Sequence, residues 1–386
     1  MILIRNDNFF LRFISRFDKY MHIFATFFLF YRFFLYNCFF HKYLLKIESS
    51  FRKRIQMPTT YINFSSNIND FLQSKYDFIQ QTRALCECTP IPNTFHRDSQ
   101  PNDIVMSMAN KNVFNFIIFL KTLRSGKCRA SIVLFIDSRA YDTLKPRRFL
   151  IEIERYCNLH LFLYTNTIIP NLDLLRDYFF HQFLISRRHL INRVIICDLY
   201  DTVFQGDPFS TTINFNSIGF TSEYYLLLND QYWNTPWLKH VYKFFEKPFE
   251  EEKFKNYHPI CSGVLFGKVD YLIRFFDFLF NEKIMKNIAK IDFLTDQGLF
   301  NYLLIEVLPL HPEIPVTIIN WTGPFTTMGT VPNSMISGTE KFGTVKITGS
   351  TENAILFHQY NRHKHFFPSL LEKCQGGYFH EVLSFK

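Results

Sequence analysis

Two carboxylates, Asp198 and Asp201, follow directly on the apolar run Val194-Ile195-Ile196-Cys197. A short unbroken apolar run reads as a strand covered on both faces, as in a parallel sheet. Ligands of open α/β sheets bind beyond the carboxyl ends of such strands, so the pair stands where a hard divalent cation and an anionic ligand could meet. His358 closes a second apolar run, Ile355-Leu356-Phe357, and could add an imidazole. Manganese accepts that mixture of oxygen and nitrogen better than calcium does. A cation so held would neutralise charge growing on a phosphate leaving group. Asp296 and Glu223 are typed to take a proton from a hydroxyl, Gln297 to read hydroxyls, and Arg362 to pair with phosphate in bidentate fashion. Gly263 would let backbone approach a ligand. Each residue also has a plainer reading: Asp198 as a turn former, Asp296 as a helix cap, His358 as a core histidine, Arg362 as a surface cation, Gly263 as a strand residue.

The elements that must position these residues begin near residue 101. Asp103 to Met108 reads as a strand, Val113 to Leu123 as a helix, Ala130 to Ile136 as a strand and Arg147 to Tyr156 as a helix. Leu159 to Tyr164 then reads as a strand, Leu174 to Ser186 as a helix, and Val194 to Cys197 as a fourth strand. Strands alternating with helical patterns argue for βαβ units and a parallel sheet. After Phe209 the alternation weakens: strands are expected at Phe215 to Phe220, Ser262 to Phe266, Val316 to Ile319 and Ala354 to Phe357. Helices are expected at Asp270 to Phe280 and at Asp296 to Leu304, the latter capped by Thr295 or Asp296. The second half thus reads as a mixed-sheet region continuous with the first.

Four segments, in order and spanning roughly residues 101 to 370, resemble the motifs of the GT-A-fold, nucleotide-sugar-dependent glycosyltransferases. Asp198-Leu199-Tyr200-Asp201 with Val203-Phe204-Gln205 and Asp207-Pro208-Phe209 is similar to that family's aspartate motif. Ser262-Gly263-Val264-Leu265-Phe266-Gly267 is similar to the strand beside its acceptor site, and Asp296-Gln297 with Asn301 to the motif opening a later helix. Ile355-Leu356-Phe357-His358-Gln359-Tyr360-Asn361-Arg362-His363 is similar to the segment that closes its metal site. The resemblance implies a single GT-A-like (Rossmann-like) α/β catalytic domain over 101–386, with a mixed, mostly parallel sheet flanked by helices. It implies a metal-dependent transfer of a sugar from a nucleotide-diphosphate donor to a hydroxyl on a glycan, protein or lipid. Mn²⁺ or Mg²⁺ would be held by Asp198, Asp201 and His358, and the donor by Asp198, Asp201, Gln297, Gly263 and Arg362. Asp296 or Glu223 would carry the proton. The family pattern is Asp-any-Asp, whereas Tyr200 occupies the position two after Asp198, which leaves open which aspartate meets the metal. Two alternatives stay open: a GT-A-like domain that binds glycan or a partner without turnover, and a haloacid-dehalogenase-like phosphatase. The phosphatase motif needs its second Asp two residues on; here the separation is three.

Composition bounds the rest. With 386 residues and 47% hydrophobic content the chain can bury a large core. A net charge of +9 invites a nucleic-acid partner, but the cations are dispersed and no nucleic-acid signature is present, so a nucleotide sugar and an anionic membrane suit it better. The eight cysteines show no Cys-x-x-Cys pair; Cys197 and Cys261 lie in apolar runs and read as core residues. Residues 1–19 read as a short tail and 20–45 as a membrane anchor, with Met21 to Phe40 apolar enough to offset the cost of Arg32, about 2.5–3.5 kcal/mol at a helix centre. Residues 46–100 read as a stem or linker. Basic residues flank the anchor on both sides, so the resemblance, not the charges, implies a single-pass protein of the Golgi or ER with a lumenal catalytic domain. Two sequons, Asn63-Phe64-Ser65 and Asn320-Trp321-Thr322, would permit glycosylation there, Asn320 being expected to be buried by the strand before it.

Overall fold

The computed structural model describes residues 85–88, 98–109, 116–138, 141, 153–154, 156–164, 169–337, 345–350, 353–366 and 374. All belong to the compact unit Thr60–Lys386. The expected tail, the expected anchor and the Asn63 sequon lie outside them, as does most of the helix expected at Arg147 to Tyr156. Among the described residues no helix is long and apolar enough to cross a membrane.

Strands β1 (Ile104–Ala109), β2 (Ser131–Asp137), β3 (Leu159–Tyr164) and β4 (Arg193–Cys197) are the four expected from the apolar runs. They join β6 (Ile218–Ser222), β7 (Ile260–Lys268) and β8 (Val316–Ile319) in a seven-stranded sheet of order β3-β2-β1-β4-β7-β6-β8. The first four strands are mutually parallel, β7 runs antiparallel to β4 and β6, and β8 is parallel to β6. This is a mixed, mostly parallel sheet. From β1 the chain moves outward through β2 to β3, then returns across β1 to lay down β4. The strand order therefore reverses between β1 and β4, where such sheets open a crevice at their carboxyl ends.

Both faces of the sheet are covered, which is why the strands lack polar alternation. One face carries Met106, Phe135, Phe162 and Ile196 against helices α2 (Leu172–Arg187) and α4 (Val269–Leu279). The other carries Val105, Leu134, Leu161 and Ile195 against helix α1 (Phe116–Ser125). Phe135 alone packs its ring against Phe162, Phe179, Phe180 and, edge-on, Phe183, so much of the phenylalanine here is core packing.

A smaller sheet, β5 (Thr202–Phe204), β12 (Leu356–His358) and β9 (Phe325–Thr327) in the order β5-β12-β9, continues the chain beyond the aspartates, while β10 (Ile336–Ser337) and β11 (Lys346–Ile347) pair with each other. Helices α3 (Asn234–Phe244), α5 (Glu282–Asn287) and α6 (Asp296–Tyr302) complete the elements needed here. Several expected limits shift: the strand expected at Ser262 to Phe266 extends to Ile260–Lys268, and the helix expected to reach Leu304 ends at Tyr302. The strand expected at Phe215 to Phe220 starts at Ile218, because Phe215 turns its ring onto Phe209 and Phe266 under Arg193. The last expected strand starts at Leu356 and takes in His358. Asn320 is exposed rather than buried, since β8 is an edge strand and the chain turns outward after it.

Residues upstream of β1 are tied to the sheet. Cys86 pairs with Cys157, and Cys88 with Cys374. The Asp207 carboxylate accepts from the backbone N–H groups of Asp98 and Ser99. Cys197 and Cys261 are free and buried, as expected of core residues.

Candidate functional site

Asp198 is the first residue after β4, and its N–H donates to the Gly263 carbonyl of β7 at 3.1 Å. The chain then turns through Leu199 and Tyr200 and enters β5 at Thr202. Antiparallel pairing of β12 with β5 places His358 opposite Thr202, and the Tyr360 N–H donates to the Asp201 carbonyl. Two residues 160 positions apart in the chain thereby meet: His358 Nε2 lies 3.2 Å from Asp198 Oδ2 and 3.4 Å from Asp201 Oδ1. One ligand atom from each of Asp198, Asp201 and His358 falls within 4.8 Å of the others.

The imidazole fits only because residue 263 is glycine. A Cβ there would lie 2.2 Å from His358 Cε1 and Nε2, inside the ring's van der Waals envelope. Gly263 thus clears space for a metal-ligating side chain, more directly than for the ligand expected from sequence. On the ring's other nitrogen, Nδ1 meets the Cys261 thiol at 3.3 Å, which leaves Nε2 to face the carboxylates. Tyr200 packs against the core beneath the sheet, so the second carboxylate of the group is Asp201.

Arg176, on α2, was not singled out by sequence reasoning, yet it organises the site. Its guanidinium pairs with Asp198 through Nη1 and with Asp296 through Nη2, while Nε faces Asp177 at 3.5 Å. Nothing local marks it, since an arginine in an amphipathic helix reads as a solvent-face cation. Helix α2 is aimed here by its cap: Asn171 Oδ1 accepts from the N–H groups of Asp173 and Leu174, and Asn171 Nδ2 donates to the Leu294 carbonyl just before α6. Thr295, not Asp296, caps α6 through its hydroxyl, which frees the Asp296 carboxylate to reach Arg176.

The electrostatics are those of a cation site. Burial raises Asp296, Asp173 and Asp177, and neighbouring carboxylates add to the rise, pushing Asp296 up to about 7. Burial also works against the Asp198 anion, but Arg176 and His358 outweigh it and hold its carboxyl below the usual range. Burial disfavours a cationic His358, yet Cys261, Asp201 and Asp198 around it drive its pKa upward. One guanidinium therefore faces four aspartates, Asp173, Asp177, Asp198 and Asp296, and the buried Asp201 Oδ1 atom has the His358 ring at 3.4 Å beside it. A hard divalent cation fits this donor set of two carboxylates and one imidazole, which would give up its proton to bind the ion.

Beside this cluster lies a cavity of about 190 Å³ whose lining includes Glu223, Asn234, Gln297, Gln359 and Arg362. Gln297 Nε2 donates to Glu223 Oε1 at 2.9 Å and to Asn234 Oδ1, and Asn234 Nδ2 donates to Glu223 Oε2 at 3.0 Å. Burial raises the Glu223 carboxyl, with the two amides working against that rise. The expected residues therefore fall in two adjoining groups. Asp198, Asp201 and His358 form the metal-type cluster, joined to Asp296 through Arg176. Glu223, Gln297 and Arg362 border the cavity, with Gln297 following Asp296 at the start of α6.

No family model matches the chain, and no curated protein matches it. Among solved structures it is similar to a crystal structure of the galactosyltransferase LgtC in complex with donor and acceptor sugar analogs, with a TM-score of 0.38 and 14% identity, covering 66% of this chain and 86% of that one.

Proposed function

We propose that the chain is a divalent-metal-dependent glycosyltransferase that moves a sugar from a nucleotide-diphosphate donor to a hydroxyl acceptor. The observation that carries this reading is the convergence of Asp198, Asp201 and His358 at the end of β4, beside the strand-order reversal and against a polar cavity. The ordered motif resemblance around the same residues supports it. A bound Mn²⁺ or Mg²⁺ would neutralise the charge that develops on the departing diphosphate. Asp198 and Asp201 hold that side of the site, and Arg176 keeps Asp198 ionised and aimed. Glu223, one of two carboxylates bordering the cavity, takes the acceptor proton in this reading if configuration inverts; Gln297 and Asn234 fix its two oxygens, whereas Asp230 is taken up by backbone N–H groups of its own turn. This reading assigns Asp296, paired with Arg176, to the donor side.

The same reading puts the catalytic part in the lumen of the Golgi or ER, behind an anchor at Met21 to Phe40. Two disulfides support an oxidising compartment. Alkaline carbonate extraction of membranes carrying the full chain tests the anchor; release into the soluble fraction would remove it.

The test of function is thermal stability of the full chain against a panel of nucleoside diphosphates, each with and without Mn²⁺. Ligand linkage raises the midpoint for one nucleotide only when metal is present, and Asp201→Asn abolishes that rise. A shift indifferent to metal, or none from any nucleotide, overturns the proposal.

A further inference from the structure

Of the chain's three tryptophans, Trp233 and Trp237 stand together at the cavity and Trp321 packs on the residue next to Glu223. Trp233 and Trp237 line the cavity, their rings 5.7 Å apart, while Trp321 sits edge-on to Tyr224, next to Glu223. Trp233 is 62% exposed and Tyr232 86% exposed, and Tyr225 is also exposed. Large aromatic side chains grouped in solvent beside a cavity mark a binding surface. They are also held there. The Asp230 carboxylate accepts from the backbone N–H groups of Trp233 at 3.1 Å and Asn234 at 3.2 Å and from Asn234 Nδ2 at 2.8 Å, while the Thr235 hydroxyl donates to the Leu227 carbonyl. The turn that presents Trp233 is therefore built before any ligand arrives, which lowers the ordering cost of binding.

What such a surface recognises follows from its chemistry. Two indoles share the wall with the Glu223 and Asp230 carboxylates, three amides and the Arg362 guanidinium, and the Thr330 hydroxyl in the same wall is buried without a hydrogen-bond partner among the described residues. An acyl chain would strand those polar groups unpaired. A nucleic acid would meet the Glu223 and Asp230 carboxylates. A sugar ring satisfies both halves: its C–H face packs on an indole and its hydroxyls reach carboxylate, amide and threonine. The cavity volume, about 190 Å³, suits one ring and lies below the roughly 300–1,000 Å³ of drug-sized sites.

We propose that Trp233 and Trp237 form the platform of a saccharide-binding subsite, so that the acceptor is a glycan. Calling the bound sugar an acceptor rests on the transferase reading; the binding of the sugar does not.

The experiment is calorimetric titration of the full-length protein with an array of neutral oligosaccharides, without nucleotide or metal, alongside intrinsic tryptophan emission. At least one oligosaccharide binds at millimolar concentration and shifts the emission. Trp233→Ala weakens that binding about tenfold, whereas Trp233→Tyr, which keeps an aromatic face, retains most of it. Absence of binding to every oligosaccharide, or undiminished binding by Trp233→Ala, overturns the proposal. The metal-dependent nucleotide shift is read on the same samples. A shift that persists while saccharide binding fails removes the platform alone. Saccharide binding without any nucleotide shift upholds the platform and removes the transferase reading.

Discussion

The cluster at the end of β4 and the cavity beside it touch through the start of α6 but are built by opposite means. The cluster draws Arg176 from α2, Asp198 and Asp201 from the loop after β4, Asp296 from α6 and His358 from β12, and every contact among them is ionic or charge-assisted. The cavity takes five of its nine lining residues, Glu223, Asp230, Trp233, Asn234 and Trp237, from a single fifteen-residue stretch and is fixed largely by amide hydrogen bonds. Charges gathered from distant elements need the whole sheet to hold them, and they suit a charged ligand. A local turn with amides and indoles is held by its own hydrogen bonds and by Gln297 of α6, and its indoles and amides suit a neutral one. Damage to the first should therefore reach the fold, while damage to the second should stay in binding.

The largest break in that contrast is Arg176→Ala. It leaves Asp198 and Asp296 without their shared partner in a buried site, and a loss of about 3–5 kcal/mol is expected from the denaturation midpoint. Next comes the pH dependence carried by Asp296, whose carboxyl rises from 3.8 to about 7 in the folded chain. A raised acid favours the fold while protonated, so stability is full below about pH 4 and falls as pH rises through 7, by at most ~1.4 kcal/mol per pH unit. Asp296→Asn flattens that slope in metal-free protein, as a pH series of melting curves would show. An unchanged slope would assign the dependence elsewhere.

Gly263→Ala drives a methyl into the His358 ring and costs about 1–3 kcal/mol by overpacking. It also removes the Mn²⁺-dependent part of the nucleotide shift, which sets it apart from a simple packing defect. The smallest effect belongs to the cavity. Trp233→Ala, at an exposed position, moves stability by no more than about 0.5 kcal/mol, read from the same denaturation curves. A larger loss would show that the aromatic corner supports the fold after all.

Much of the sheet was legible beforehand because its strands are buried on both faces and so announce themselves as unbroken apolar runs. Leu159–Tyr164 matches its expected limits, and β1, β2 and β4 differ from theirs by a residue at one or both ends; Val316–Ile319 also matches, although as an edge strand it is only partly buried. Helix α3 escaped notice because Pro236 sits within its first turn and its apolar face is short, with only Leu238, Val241 and Tyr242 among its larger buried side chains. Strands β5 and β9 escaped because three residues carry no periodicity.

The chain's local order determined that Asp198 and Asp201 would stand at a strand end and that His358 would close an apolar run, since burial patterns and strand limits are written in neighbouring residues. Tertiary structure alone decided that these three would converge, that Arg176 would pair with Asp198 and Asp296, and that Gly263 would make room for an imidazole. Those facts depend on strand order and on the register of β12 against β5, which set distances between residues far apart in the chain; no local pattern encodes such a distance.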